Sequence, residues 1–292
     1  MTHPPRPRNW RQVMERSNAR AFVLVSLLAW GCGGGLEPME PDVTASQCGT
    51  EHPTEQTLTR VARESTRSAS VVRPPGSVRI PTYVHVIRRG TGAANGDVPL
   101  AAINAQLDVL RAAYSATPFV FDLKTVTRTT NATWYGMAPG SAAELAAKTA
   151  LRQGGKDALN LYLANPGSGL IAWATFPWTV AGAQINDGVV LLNATLPGGT
   201  AAPYNLGKTA VHEVGHWLGL MHVMTGCATD DGVSDTPRAQ PSYTCAVAVD
   251  SCPADPGPDP IHNYMGYADD ACMTEFTPGQ SVRMDSMALM YR

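Results

Sequence analysis

In the middle of the chain, apolar residues recur at the spacing of strands and helices. The stretches before and after it lack this regular spacing. Residues 80–87 are rich in β-branched and aromatic side chains over the length of one strand. In residues 100–114, apolar side chains recur at helical spacing and form a single stripe, made by Ile103, Leu107, Leu110 and Tyr114. This order predicts a strand followed by the helix that covers it.

Further elements continue the mixture of helices and strands. Strand composition recurs at 119–126, 159–163 and 189–192, and an alanine-rich segment at 141–152 favours a helix. We therefore expect an α+β or α/β fold with a mostly parallel, twisted sheet.

Two stretches lack this periodicity. Residues 226–277 are dominated by Asp, Pro, Cys and Gly, so something other than a large apolar core must hold them. Residues 33–79 contain few large apolar side chains, as in a linker or pro-segment, with a short polar helix expected at 56–68.

The N-terminal residues have the composition of an export signal. Five arginines precede a ten-residue apolar run at 21–30, which is too short to cross a bilayer as a helix. A cut after Gly31 would leave Cys32 first, and this junction resembles the lipobox of bacterial lipoproteins. Lipidation of Cys32 would attach the protein to the membrane of a bacterial cell envelope, and simple secretion is the alternative. The expected domains are a signal peptide at 1–31, a tether and pro-segment at 32–79 and a folded domain at 80–292.

The overall composition excludes one class of partner. Lys and Arg total 22 against 24 Asp and Glu, which gives a net charge of -2 in 292 residues. Without a basic field, nucleic acid is not an expected partner.

The strongest chemical signal lies at residues 212–222. His212 and His216 are four apart, so a helix projects both imidazoles from one face as ligands of one metal ion. Gly219 can end the helix and allow His222 to become a third ligand. Three nitrogen ligands leave an open position, which is typical of catalytic zinc, and Glu213 is placed to act as general base and acid.

This pattern is specific. A helical histidine pair alone is often structural, but all five fixed positions should occur by chance in only about one chain in 10⁵ of this length. The pattern predicts a zinc-dependent peptidase. The alternative is a surface zinc-binding adhesion or interaction module without proteolytic activity.

Several segments resemble a known family. The run from His212 to His222, followed by Met265, resembles the zinc signature and Met-turn of the metzincin metalloproteases. The segments NYMGY at 263–267, DGVSDTP at 231–237 and FTPGQ at 276–280 are similar to the pappalysin family, which includes ulilysin. The resemblance covers 80–292.

The resemblance implies an exported zinc endopeptidase that acts on proteins or peptides. It implies a metzincin catalytic domain, with a twisted sheet and two long helices above an irregular, disulfide-bonded lower subdomain. Met265 would form an apolar floor beneath the zinc, and the hydroxyl of Tyr267 would hydrogen-bond the oxyanion. We expect a monomer.

The cysteines fit an exported chain. Four of the six cluster in the irregular segment and suggest two disulfides, for which the residues alone allow three pairings. The family resemblance favours Cys227 with Cys252 and Cys245 with Cys272. It also implies that Cys48, in the pro-segment, is a latency switch whose thiolate takes the open zinc position. An unimportant thiol or an intermolecular disulfide is the alternative for Cys48.

A second metal site is suggested within the irregular segment. Asp230, Asp231, Asp235 and Thr236 offer hard oxygen ligands of the kind that calcium prefers, although an acidic surface loop has the same composition. The resemblance points to calcium here, with Asp231, Val233, Asp235 and Thr236 as its ligands.

Overall fold

The five strands form one sheet with a short strand at its edge. In a computed structural model, strands β1 (Val78–Arg88), β2 (Phe119–Thr130), β3 (Leu159–Ala164), β4 (Ala172–Ala174) and β5 (Val189–Leu192) are arranged in the order β2-β1-β3-β5-β4. Strand β1 pairs in parallel with β2 and β3, and β3 pairs in parallel with β5. Only β4 is antiparallel, to β5, among the strands of this sheet, and its outer edge is in contact with the segment that begins at Cys48.

The structure describes residues 48–67, 73–167, 169–180, 184–243, 245, 250–255 and 257–292. These residues belong to a compact unit that runs from Asp42 to Arg292. The predicted signal peptide at 1–31 and the lipidation site Cys32 lie outside the described part. Within it, no helix combines the length and the apolar character that a membrane crossing requires.

Helices cover the sheet and extend beyond it. They are α1 (Glu55–Arg67), α2 (Leu100–Ala113), α3 (Ala132–Tyr135), α4 (Ala142–Leu151), α5 (Lys208–Trp217) and α6 (Pro278–Tyr291). The apolar stripe of α2 is buried at Ile103, Leu107 and Leu110, as its periodicity predicts. Helix α5 is buried from Thr209 to Trp217, so the polar groups in it must find partners inside the protein.

The predicted α+β class with a mostly parallel sheet is confirmed. Strand β1 begins at Val78 rather than Ile80, and β2 continues to Thr130 rather than ending at Val126. The predicted elements did not include β4 or α6. Strand β4 has only three residues, which is too short for alternation to be visible, and the sequence of α6 has a weak apolar stripe.

The irregular segment 226–277 is held by covalent links and turns. Cys227 is bonded to Cys252 and Cys245 to Cys272, the pairing that the resemblance implies. The chain then enters α6 through a capping box, in which Thr277 and Gln280 satisfy each other's backbone amides. These links bring residues 263–267 against helix α5.

Candidate active site

Helix α5 and the turn after it bring three imidazoles together. The Nε2 atoms of His212, His216 and His222 lie 3.0 to 3.1 Å apart, and all three residues are buried. The first two come from one face of α5. The third returns because Gly219, two residues beyond the helix end, takes a positive φ of 95°, which a residue with a Cβ rarely adopts.

Backbone carbonyls orient two of these rings. The Nδ1 of His212 donates to the Tyr264 carbonyl at 2.7 Å, and that of His216 donates to the Leu220 carbonyl at 2.8 Å. A carbonyl can only accept, so each ring carries its proton on Nδ1 and directs the lone pair of Nε2 toward the centre. Burial lowers the pKa of His212 to about 4 and holds the pKa values of the other two imidazoles well below their ordinary value.

This donor set fits zinc. Ligand nitrogens about 2.0–2.1 Å from a tetrahedral ion are separated by roughly 3.3 Å, close to the spacing of the three Nε2 atoms. Neutral imidazoles that aim lone pairs at one point repel each other unless a cation lies between them. The Sγ of buried Cys48 is 3.7 Å from the Nε2 of His216, at the distance of a fourth tetrahedral ligand.

Glu213 lies beside this centre and is only 1% exposed. Its Oε2 accepts a hydrogen bond of 2.9 Å from the hydroxyl of Thr50. Burial raises the pKa of Glu213 to about 7, which suits a group that must both accept and release a proton near neutrality. A small pocket lies next to Glu213, with Thr209, Ala268 and Met273 in its wall.

Met265 packs directly against the zinc-binding helix. It is fully buried, and a Cβ on Gly215 would lie only 2.4 Å from its Sδ. Gly215, between Glu213 and His216, therefore allows the helix to rest on the methionine. Met265 is thus an apolar contact of the helix that carries His212 and His216.

Tyr267 lies at the rim of the site. Its ring centroid is 4.9 Å from that of His222, and on its other side it stacks on Tyr243 at 5.6 Å. Burial raises the pKa of the Tyr267 hydroxyl above its ordinary value, so the group is a proton donor at neutral pH.

The suggested calcium ligands are only partly brought together. The Thr236 hydroxyl is 2.8–2.9 Å from both carboxylate oxygens of Asp231 and 2.8 Å from the Val233 carbonyl oxygen. Asp235 lies apart from this group, because its carboxylate accepts hydrogen bonds from the Thr277 hydroxyl and the Gly279 amide at the start of α6. These four residues therefore do not converge on one point.

Two sets of contacts near the site could not be predicted from the sequence. Thr50 contacts Glu213 across 163 positions, and no spacing rule relates them. Behind the helix, the Arg292 guanidinium donates to Asp187 at 2.8 Å and to the Trp217 carbonyl at 2.9 Å. This buried ion pair fixes the end of α5, and only packing could have shown it.

Comparison with known proteins identifies similar sequences over most of the chain. The profile of the peptidase family M43, described as pregnancy-associated plasma protein-A, matches residues 159–288. An extracellular metalloprotease of Pyricularia oryzae is 40% identical over 260 residues, which cover 85% of this chain and 90% of the relative. One from Colletotrichum graminicola is 42% identical over 258 residues, covering 84% and 91%.

Solved structures of similar fold come from Tannerella forsythia. A mutant of promirolysin superimposes with a TM-score of 0.69 at 27% identity, covering 82% of this chain and 93% of its own. Mature mirolysin in complex with a cleaved peptide gives 0.62 at 26% identity, covering 72% and 91%.

Proposed function

Because the chain belongs to the pappalysin family of metallopeptidases, peptidase family M43, we propose that Glu213 and Tyr267 are its catalytic residues beside a zinc ion held by His212, His216 and His222. The protein is a zinc-dependent endopeptidase that cleaves peptide bonds. The alternative of a zinc-binding module without proteolytic activity is not favoured. The proposal concerns which residues perform the reaction.

Zinc bound to the three imidazoles supplies a Lewis acid for the peptide carbonyl and lowers the pKa of water toward neutrality. The Tyr264 and Leu220 carbonyls keep two of the rings in the orientation that binding requires. Met265, packed against Gly215, gives the helix an apolar support between Glu213 and His216.

Glu213 moves the proton. Its carboxylate accepts a proton from the attacking water and later delivers it to the nitrogen of the leaving amine. Tyr267 donates its hydroxyl to the carbonyl oxygen as negative charge develops there, which stabilises the tetrahedral transition state. The raised pKa of Glu213 supports the first role, and the position of Tyr267 beside His222 supports the second.

The observation that carries this proposal is the convergence of three buried Nε2 lone pairs beside one buried carboxylate. Replacing Glu213 with Ala in the processed enzyme should reduce kcat by roughly 10²–10⁴, because the general base is lost. Zinc content should stay at one ion per chain, since Glu213 is not a ligand. Full activity in this variant, or hydrolysis that survives chelation of the metal, would contradict the proposal.

A matched experiment addresses Tyr267. Replacing it with Phe keeps the ring against His222 and removes the hydroxyl, so kcat should fall while KM changes little. Loss of one oxyanion donor typically costs about 10²–10³ in kcat. An unchanged kcat would assign Tyr267 to packing alone.

We also propose that residues 32–79 form a pro-segment ahead of a catalytic domain at 80–292, and that Cys48 keeps the precursor latent. The Sγ of Cys48 lies at the fourth-ligand position, and burial raises the pKa of the thiol, so a cation there would be needed to hold it as a thiolate. The precursor with Cys48→Ala should hydrolyse a test peptide faster than the unprocessed wild type. No gain before processing would contradict this role.

Calcium is proposed at Asp231, Val233 and Thr236. The Asp231 carboxylate and the Val233 carbonyl oxygen both lie 2.8 Å from the Thr236 hydroxyl, and this group of buried oxygen atoms supports binding of a hard cation. The fourth expected ligand, Asp235, instead stabilises the start of α6. Calcium should raise the melting temperature in a concentration-dependent way, and Asp231→Asn should abolish that rise. Equal melting temperatures with calcium and with a calcium chelator would contradict the site.

We propose that the protein is exported, as the signal-like N-terminus and the extracellular relatives support. We further propose that Cys32 is lipidated in a bacterial cell envelope. This proposal rests on the lipobox-like junction alone, because the relatives compared above are fungal. Mass spectrometry of the mature N-terminus would show either a lipid on Cys32 or none. Protein or peptide substrates are expected, with a monomeric enzyme and no nucleic-acid partner.

A further inference from the structure

The segment Cys48–Thr50 lies along the open edge of the sheet. Cys48 forms a parallel bridge with Ala172, and the Gly49 amide donates to the Ala172 carbonyl at 2.8 Å. The next link uses a side chain, because the Ala174 amide donates to the Thr50 hydroxyl oxygen at 2.8 Å. These contacts with β4 fix the position of Thr50 relative to the catalytic centre.

The Thr50 hydroxyl donates its single hydrogen bond to Glu213. An amide can only donate, so the bond from Ala174 takes a lone pair of the hydroxyl oxygen and leaves its single proton for Glu213. The Oε2 of Glu213 accepts that proton at 2.9 Å. Thr50 is 7% exposed and Glu213 1% exposed, so little water competes for this hydrogen bond.

Thr50 also reaches the thiol of the same segment. Its backbone amide lies 3.4 Å from the Sγ of Cys48 and donates to it. One residue therefore contacts both the proposed general base and the sulfur at the fourth ligand position. The Thr50 hydroxyl uses an acceptor site on Oε2 of Glu213 that is then not available to a water molecule.

We propose that Thr50 is a second lock of the precursor, whose hydroxyl holds the catalytic carboxylate while the sulfur of Cys48 lies at the fourth ligand position. This inference rests on the function proposed above and concerns the regulation of the same site. The Thr50 hydrogen bond stabilises the buried carboxylate and holds its Oε2 in place, so the carboxylate is a poorer acceptor for the proton of an attacking water while Thr50 remains bound. Each contact therefore lowers the activity of the precursor, and removal of either one should raise it.

The test compares unprocessed precursors in an initial-rate assay with a fluorogenic peptide, with mass spectrometry to verify that each chain is intact. Thr50→Val removes the hydroxyl with little change of shape. It should raise the activity of the precursor roughly 10- to 100-fold, the range expected for loss of a hydrogen bond to a charged group. Thr50→Ser keeps the hydroxyl and should stay within about threefold of wild type, on the same reasoning.

Thr57 provides a matched control on the same segment. Its side chain bonds Thr54 at 3.0 Å, and Thr57→Val removes a hydroxyl from the pro-segment without touching Glu213. This control should leave the precursor latent. In a Cys48→Ala precursor, adding Thr50→Val should raise the rate again, because the Thr50 hydroxyl still holds Glu213 there. The two factors should not simply multiply, since Cys48 also hydrogen-bonds Glu213 and contacts Thr50.

Two results would overturn the second lock: equal rates for the wild-type and Thr50→Val precursors, or equal activation by the Ser and Val variants. A second measurement does not depend on folding of the precursor. A synthetic peptide of residues 48–67 should inhibit the processed enzyme, and its Thr50→Val form should inhibit about tenfold less. Equal inhibition by the two peptides would likewise overturn the lock.

If the proposed peptidase function is wrong, these experiments should give a different set of results. The processed enzymes from wild-type and Thr50→Val precursors have the same catalytic domain, so their kcat/KM values should be equal. If neither processed enzyme cleaves peptides, the proposed function is wrong. If both cleave equally and the precursors are equally latent, only the role of Thr50 is wrong.

Discussion

The sheet half of the molecule and the segment after the zinc-binding helix obtain their order in different ways. Between Val78 and Trp217, strands and helices bury a continuous apolar core, with side chains such as Phe121 fully enclosed. The described residues of 226–277 form turns and an isolated bridge. They are held by two disulfides, by hydrogen bonds from side chains to the backbone and by a few apolar side chains, such as Met265 and Met273, that reach the core of the other half. Both halves nevertheless contribute to one catalytic centre.

The difference shows how an irregular chain can be placed accurately. The core half supplies His212, Glu213 and His216 from a rigid helix. The other half supplies Met265 and Tyr267 from a turn that is tied down at individual points, such as the bond between the Met265 amide and the Asn263 side chain. We therefore expect the core half to respond to substitution as one cooperative unit, and the irregular half to respond locally.

The largest effect is expected in the core. Phe121→Ala removes a fully buried ring that packs edge-on against Tyr114 at 5.1 Å, and the Tyr114 hydroxyl in turn donates to the Val211 carbonyl in the zinc helix. The free energy of unfolding should fall by about 3–5 kcal/mol. Urea unfolding followed by fluorescence and by zinc release should give one coincident transition.

Val282, an exposed residue outside the core, serves as the control for the Phe121 substitution. It is 44% exposed on α6, and Val282→Ala should change the free energy of unfolding by less than about 0.5 kcal/mol. Two separate transitions in the Phe121 variant would mean that the core half is not a single cooperative unit.

The next effect is expected from a disulfide. Replacing Cys245 and Cys272 by Ser opens a loop with a sequence separation of 27 and should reduce stability by about 3 kcal/mol. Because Cys272 is five residues beyond Tyr267, kcat should fall while zinc remains bound. The measurements are zinc content, kcat and the rate at which an added protease cuts residues 226–277.

The other disulfide is a matched control. Cys227 and Cys252 are separated by 25 residues, so their replacement by Ser should cost nearly the same stability. Neither lies next to Tyr267 in the sequence, and kcat should fall less. Equal losses of kcat for the two pairs would argue against local control of the turn.

The smallest effect is expected at the boundary between the irregular segment and α6. The Thr277 hydroxyl accepts from the Gln280 amide and donates to Asp235, so Thr277→Ala removes an N-cap and leaves a carboxylate oxygen with one partner fewer. Thermal unfolding should show a loss of about 1 kcal/mol. Thr277→Ser keeps both bonds and should be close to wild type, and an equal loss in both variants would indicate a role for the methyl group instead.

The elements and site residues that could be predicted are those that depend on the local pattern of side chains. Strand β3 and the stripe of α2 were visible because side chains alternate or recur at the period of the element itself. The zinc triad was visible for the same reason, since a separation of four residues fixes two imidazoles on one helical face. Such features depend on backbone geometry over a few residues and need no knowledge of the rest of the chain.

The sequence by itself determined the main elements and the spacing of the proposed metal-binding triad and general base. Only the tertiary structure decided that β4 lies at the sheet edge beside Cys48, that Asp235 faces α6 and that Thr50 reaches Glu213. These contacts join positions far apart in the chain. Their existence depends on how separately formed elements pack, because a hydrogen bond between distant residues leaves no periodic trace in the sequence.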